Sequence, residues 1–91
     1  MKFTKGADAN FTSLQGYVTA YYSDLVAKFG EPDFLNVDKV TAEWALEFED
    51  GTVATIHDWK ERATPKGLYQ WHVGGKSKEA VRAVLDAMKE T

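Results

Sequence analysis

From Val40 to Phe48 the chain alternates without a break, with Val40, Ala42, Trp44, Leu46 and Phe48 apolar and Thr41, Glu43, Ala45 and Glu47 between them. A period of two over this length predicts a strand with one face on a core and the other in water. Asp50-Gly51 follows, where glycine supplies the positive φ of a tight hairpin turn. The return strand has two registers. A two-residue turn faces Val53, Thr55, His57 and Trp59 to the core. A three-residue loop, Glu49-Asp50-Gly51 with a glycine bulge, buries Ala54 and Ile56 instead. The second is favoured, because it buries Ile56, leaves polar His57 outside and sets His57 across from Glu43. A slip of one residue would reverse every side chain.

The remaining elements fall into place around this hairpin. Residues 1–9 are small and polar and are expected to be flexible. Phe11 to Thr19 alternates loosely and predicts a first strand weakened by Gly16. Thr19 is then an N-cap candidate for a helix through Phe29, with Tyr22, Leu25, Val26 and Phe29 on one stripe. Gly30 and Pro32 end that helix. Asp33 to Asp38 reads as a loop, and so does Glu61 to Gly67. Leu68 to Val73 predicts the last strand, with Tyr69, Trp71 and Val73 on one face and Leu68, Gln70 and His72 on the other. Gly74-Gly75 turn the chain, and Ser77 caps a final helix whose stripe is Val81, Val84, Leu85 and Met88. The expected fold class is α+β: one domain over residues 1–91, in the order β-α-β-β-β-α. It forms a two-layer sandwich, a mainly antiparallel four-stranded sheet with both helices on one face.

Composition narrows the setting. Apolar residues make up 44% of the 91, and three of the aromatics are Trp, enough bulk for a single core. There is no cysteine, which removes disulfides and thiolate metal sites and fits a reducing cytoplasm. No stretch is long and apolar enough for a signal peptide or a membrane span. The net charge of −3 conceals an uneven distribution. Residues 31–58 hold eight acidic residues against Lys39 alone, a balance of −7, whereas residues 60–82 carry +4. A chain with this balance is a poor general nucleic-acid binder, since non-specific affinity comes from neutralising phosphates. An acidic face suits a basic partner, or is simply a solvated sheet surface.

Signals for chemistry are sparse. Gly74-Gly75-Lys76-Ser77 lies between a strand and a helix, where phosphate loops lie. The glycine a P-loop requires at residue 70 is Gln70. A glycine turn with a serine cap accounts for the sequence, and a weak anion site at Gly74, Gly75, Lys76 and Ser77 is the alternative. His57 and His72, on adjacent strands near Glu43 or Asp58, invite a two-His-one-carboxylate metal site. No ligand spacing supports it, and structural histidines are the simpler reading. Glu43, Glu47 and Asp58 read as a solvent face rather than an acid–base pocket, and no activated nucleophile is visible. The chain therefore reads as a non-enzyme without cofactor. Trp59 differs from Trp44 and Trp71, which share core stripes. In the favoured register it points away from the helices, as a contact anchor or covered by the 61–67 loop.

The segments Phe29-Gly30-Glu31-Pro32, Glu43-Trp44, Asp50 to Lys60 (DGTVATIHDWK) and Trp71-His72-Val73-Gly74-Gly75 resemble a family of small proteins encoded by bacteriophages and prophages. The resemblance runs from about Ser13 to Leu85 and brings no catalytic residues with it. It implies action in the bacterial host cytoplasm, by binding and inhibiting or modulating a host or defence protein. The partner-binding residues would be Glu43, Glu47, Glu49, His57 and Trp59, facing a basic surface. The alternative is a homo-oligomeric assembly protein, a homodimer being its simplest form.

Overall fold

The computed structural model describes residues 2–7, 12–37 and 39–90. They form six strands and two helices: β1 (Phe3–Lys5), β2 (Ser13–Tyr21), α1 (Tyr22–Phe29), β3 (Asp33–Val37), β4 (Val40–Phe48), β5 (Val53–His57), β6 (Leu68–Gly75) and α2 (Glu79–Lys89). The sheet runs β1-β4-β5-β6-β2, with β3 also paired to β4. Every pairing is antiparallel. The α+β class is therefore present, with six strands rather than the expected four.

Both extra strands lie on the outer edge of β4. Residues 3–5 pair with Leu46 to Phe48, so this part of the expected flexible terminus is structured. Phe3 supplies the reason: its ring meets Phe29 edge-on at 5.2 Å and lies 6.3 Å from Phe48. Residues 1, 8 and 9 of that terminus, and Phe11 of the expected first strand, lie outside the described residues. The expected loop from Asp33 is strand β3, paired through Asp33–Glu43 and Phe34–Ala42; its last residue, Asp38, is also outside the described set. Short segments like these gain strand character from the edge they pair with, more than from their own alternation.

The Asp50-Gly51 hairpin takes the three-residue form. Leu46 pairs with Ala54, Trp44 with Ile56 and Glu43 with His57, as favoured from the sequence. Gly51 has φ +90, and its N–H donates to Phe48 O at 2.8 Å while Phe48 N–H donates to Thr52 O at 2.8 Å. Asp50 Oδ1 accepts from the Thr52 amide at 2.9 Å, which holds its carboxyl below the usual carboxylate range.

The inner face carries Ala42, Trp44, Leu46, Phe48, Ala54, Ile56, Trp71 and Val73, all buried. Trp44 and Trp71 meet edge-on at 5.5 Å in its centre. Each indole N–H is satisfied, Trp44 by Gly30 O at 2.8 Å and Trp71 by Ala20 O at 3.1 Å. Buried indoles are stable only with such partners. Helix α1 buries Leu25 and Phe29 as its stripe predicts. It starts later than expected: Thr19 stays in β2 opposite Gln70, and the N-cap is Tyr21 without a side-chain bond.

Helix α2 buries Ala80, Ala83, Val84 and Ala87, while Leu85 is exposed. Of the predicted stripe Val84 is buried and Val81 and Met88 pack partly buried against the core, while the contact centres on the alanines because the helix lies close to the sheet. A Cβ at Gly75 would stand 2.3 Å from the Ala80 methyl, so only small residues fit at this contact. Gly74 and Gly75 are accordingly the buried end of β6, and the chain turns at residues 76–78 instead. Lys78, not Ser77, is the N-cap, and no side chain caps the helix.

Candidate functional site: a polar row across the open sheet face

The helices cover the inner face, and the register assembles one transverse row on the other. Asp33 pairs with Glu43, Glu43 with His57, His57 with His72, and His72 with Tyr17. The row crosses β3, β4, β5, β6 and β2, a span of about 19 Å at the usual strand spacing. Alternation places all five side chains on the outer face, since their strand neighbours Ala42, Ile56, Val73 and Val18 are buried on the inner one, with Phe34, itself exposed, paired to Ala42.

The acidic end is electrostatically unfavourable. Glu43 is half-buried, and loss of solvent, followed by the neighbouring Asp33 carboxylate, raises its pKa above the ordinary value. Like charges directly opposite on adjacent strands destabilise a sheet. Among the described residues no basic side chain pairs with either carboxylate. Glu47 lies four residues along β4 on the same face, about 13 Å away. Its Cα partners are Thr4 and Val53. Glu49 is exposed in the hairpin loop, where its amide donates to Lys2 O at 3.0 Å. Glu47 and Glu49 line a shallow groove with Lys2, Phe3, Thr4 and Phe48.

The two imidazoles stack with centroids 5.6 Å apart and planes 29° from parallel. Tyr17 meets His72 edge-on at 5.0 Å, and the Trp59 ring lies 6.1 Å from it. Nδ1 of both histidines is buried without a hydrogen-bond partner. Burial, and then the adjacent His72, lower the His57 pKa, with Asp58 acting weakly the other way. His57 is therefore held in its neutral form: its protonation would bury an N–H without an acceptor beside a second imidazole. Among the described residues no group of three His, Cys, Asp or Glu side chains is placed to hold a metal ion.

Trp59 is held by its backbone while its side chain stays 39% exposed. The preceding residue, Asp58, is fully buried and accepts from Thr41 N at 2.8 Å, Ala42 N at 3.2 Å and Thr41 Oγ1 at 2.5 Å. Thr41 Oγ1 also meets Thr64 Oγ1 at 2.8 Å, tying in the 61–67 loop. Tyr69 Oη accepts from Trp59 N at 3.1 Å. Lys60 then takes φ +60, a conformation that costs a non-glycine residue about 1 kcal/mol. The Lys60 N–H compensates by donating to Lys39 O at 2.8 Å. Lys39 Nζ stands 5.6 Å from the Trp59 ring centroid. Tyr69 thus holds the Trp59 backbone while the residue stays partly exposed.

Of the residues singled out from sequence, the register brings Glu43 and His57 together, the Trp59 ring stands 6.1 Å from His72, and Glu47 and Glu49 lie farther along the hairpin. Gly74 and Gly75 end β6, whereas Lys76 and Ser77 are exposed in the turn that follows. Both glycines are buried in β6, and the Ala80 and Val81 amides donate to Ser77 O and Lys78 O at 3.1 Å each. Asp33, His72 and Tyr17 complete the row. Their alignment depends on pairing between distant strands, although alternation alone already set His72 on the outer face. No protein-family model matches the chain, and no curated protein or solved structure matches it either.

Proposed function

We propose that the protein is a non-enzymatic binding module that docks the acidic part of its open sheet face on a basic surface of another protein. The observation that carries this reading is the Asp33–Glu43 pair, two carboxylates opposite each other with Glu43 half-buried. A lysine or arginine from a partner would relieve that repulsion, so the cost borne by the free protein becomes part of the binding energy. Trp59, exposed and fixed at its backbone, supplies the aromatic anchor that interfaces favour. Glu47 and Glu49 extend the negative field toward the hairpin tip and speed encounter with a cationic surface.

The resemblance to phage-encoded proteins supports a host or defence protein as the partner, with inhibition or modulation as the outcome. A basic patch used to hold nucleic acid is a suitable target, because an acidic face competes for the same charges. The test is capture from bacterial lysate with wild type, Glu43→Lys/Glu47→Lys and Trp59→Ala, followed by mass spectrometry. A basic protein retained by wild type and lost from both variants at moderate salt is the expected result. Identical partner sets for all three would sink the proposal.

A further inference from the structure

The free edge of β2 carries an inference independent of the acidic face. Among the described residues β2 pairs with β6 alone, so one side of a nine-residue strand has no neighbouring strand. Natural edge strands are guarded by charge, by proline or by being short. This one is neither short nor charged and holds no proline, and the bulge between Leu14 and Gly16 is its one such feature. Residues 9–23 form a run of fifteen without one charged side chain or proline, in a chain that is 27% charged. Its outer face also exposes Leu14, Tyr17 and Tyr21 at 51%, 44% and 49%.

We propose that β2 pairs antiparallel with β2 of a second copy, joining the two sheets into one across a two-fold axis. Charge selects this edge over the opposite one. Two chains of net charge −3 repel, and the acidic pair Asp33–Glu43 lies on β3 and β4 at the far end of the strand order. Contact through β2 is the approach that keeps those carboxylates farthest apart. The bulge between Leu14 and Gly16 breaks the regular register there and leaves residues 17–21 as the straight segment. Like faces must match across the axis, and centring it on Thr19 sets Thr19 opposite itself, Tyr17 opposite Tyr21, and Val18 opposite Ala20. The aromatic pairs would add cross-strand contact on the outer face. Both acidic rows then look the same way from opposite ends of one sheet, a bivalent surface.

The chain is free of cysteine, so single cysteines report this geometry directly. Across the proposed axis two Thr19 Cα atoms would stand about 4.5–5.5 Å apart, within disulfide range. Two Gln70 Cα atoms, one strand further in on each side, would be about 14 Å apart. With diamide as oxidant, Thr19→Cys is expected to give a covalent dimer and Gln70→Cys to remain monomeric. Sedimentation of wild type is expected to show twice the chain mass, and Thr19→Lys, with unchanged circular dichroism, the single mass. A wild-type monomer at several hundred micromolar would overturn the proposal. Equal cross-linking of Gln70→Cys, the mark of face-to-face stacking, would overturn it as well, and so would a dimeric Thr19→Lys. None of these readouts depends on a basic partner.

Discussion

Replacing Glu43 by Gln is expected to stabilise the protein while weakening its binding. Directly opposed residues hold their Cβ atoms about 5 Å apart, which puts the Asp33 and Glu43 carboxylates at about 6 Å. Two unit charges at that distance repel by about 0.7 kcal/mol in water and about 2.8 kcal/mol at an effective dielectric of 20. With solvent on one side of the pair and salt present, about 1 kcal/mol is the appropriate size. In a domain this small that corresponds to a rise of about 4–8 °C in Tm at pH 7. The pH dependence follows from linkage. Glu43 has a raised folded-state pKa, so the folded protein holds the proton more tightly than the unfolded chain. Its penalty is complete above the folded pKa and absent below about 4.3, where both states are protonated. The advantage of Glu43→Gln is therefore expected at pH 7 and should vanish near pH 4. Calorimetry on wild type, Glu43→Gln, Asp33→Asn and the double variant supplies the test. The double variant should gain less than the sum of the singles, because either change removes the same repulsion. A Tm that stays level or falls on Glu43→Gln would refute the reasoning.

Asp58→Ala is expected to cost about 2–4 kcal/mol in urea unfolding, since it strands the Thr41 and Ala42 amides and the Ala42 site is fully buried. Trp59 fluorescence in that variant should shift as the ring loses its fixed base; unchanged stability would remove Asp58 as the clamp. The histidine stack predicts the opposite pH trend to Glu43. His57 has a lowered folded-state pKa, so the unfolded chain takes the proton first. Its stabilising contribution is complete above about pH 6.5 and is lost as the pH falls toward the folded value. Urea midpoints of Glu43→Gln should therefore drop between pH 7.5 and 5.5, and His57→Gln added to that background should flatten the drop. An equal slope in both would end the argument.

The parts of the fold legible in the sequence were those with a strong period and a local turn. The alternation of β4 and the Glu49-Asp50-Gly51 loop located the inner face of the hairpin and set His57 opposite Glu43. Two kinds of information were missing. Strands β1 and β3 are three and five residues long and exist as strands through the edge of β4, a partner that such short segments do not announce. At α2 the expected stripe holds at Val84, with Val81 and Met88 packed partly buried against the core, and fails at Leu85; size alone did not point to Ala80, Ala83 and Ala87. The close approach of Ala80 to Gly75 required small residues at the contact. The same approach explains why Gly74-Gly75 resembles a turn in sequence and is a buried strand end in space. Asp33 and Tyr17 joined the site for a similar reason, since their places in the row are set by long-range register.

The two sheet faces differ in how their energetics close. On the inner face every large feature is compensated: both buried indoles find carbonyls, and the helix that comes too close meets glycine. The outer row is not compensated in this way, with a like-charge pair at one end and two orphaned Nδ1 atoms at its centre. Local violations of otherwise consistent design concentrate where a protein works rather than where it folds. The two violations also call for different remedies. The orphaned nitrogens are buried, out of reach of a partner, and of the two rings His57 is the one that bears on pH response. The Asp33–Glu43 pair lies on the open face, with Glu43 only half-buried, where a cation from outside can reach it. Of the two, the carboxylate pair is the one whose cost a binding partner can remove, and this is why the functional reading rests on it.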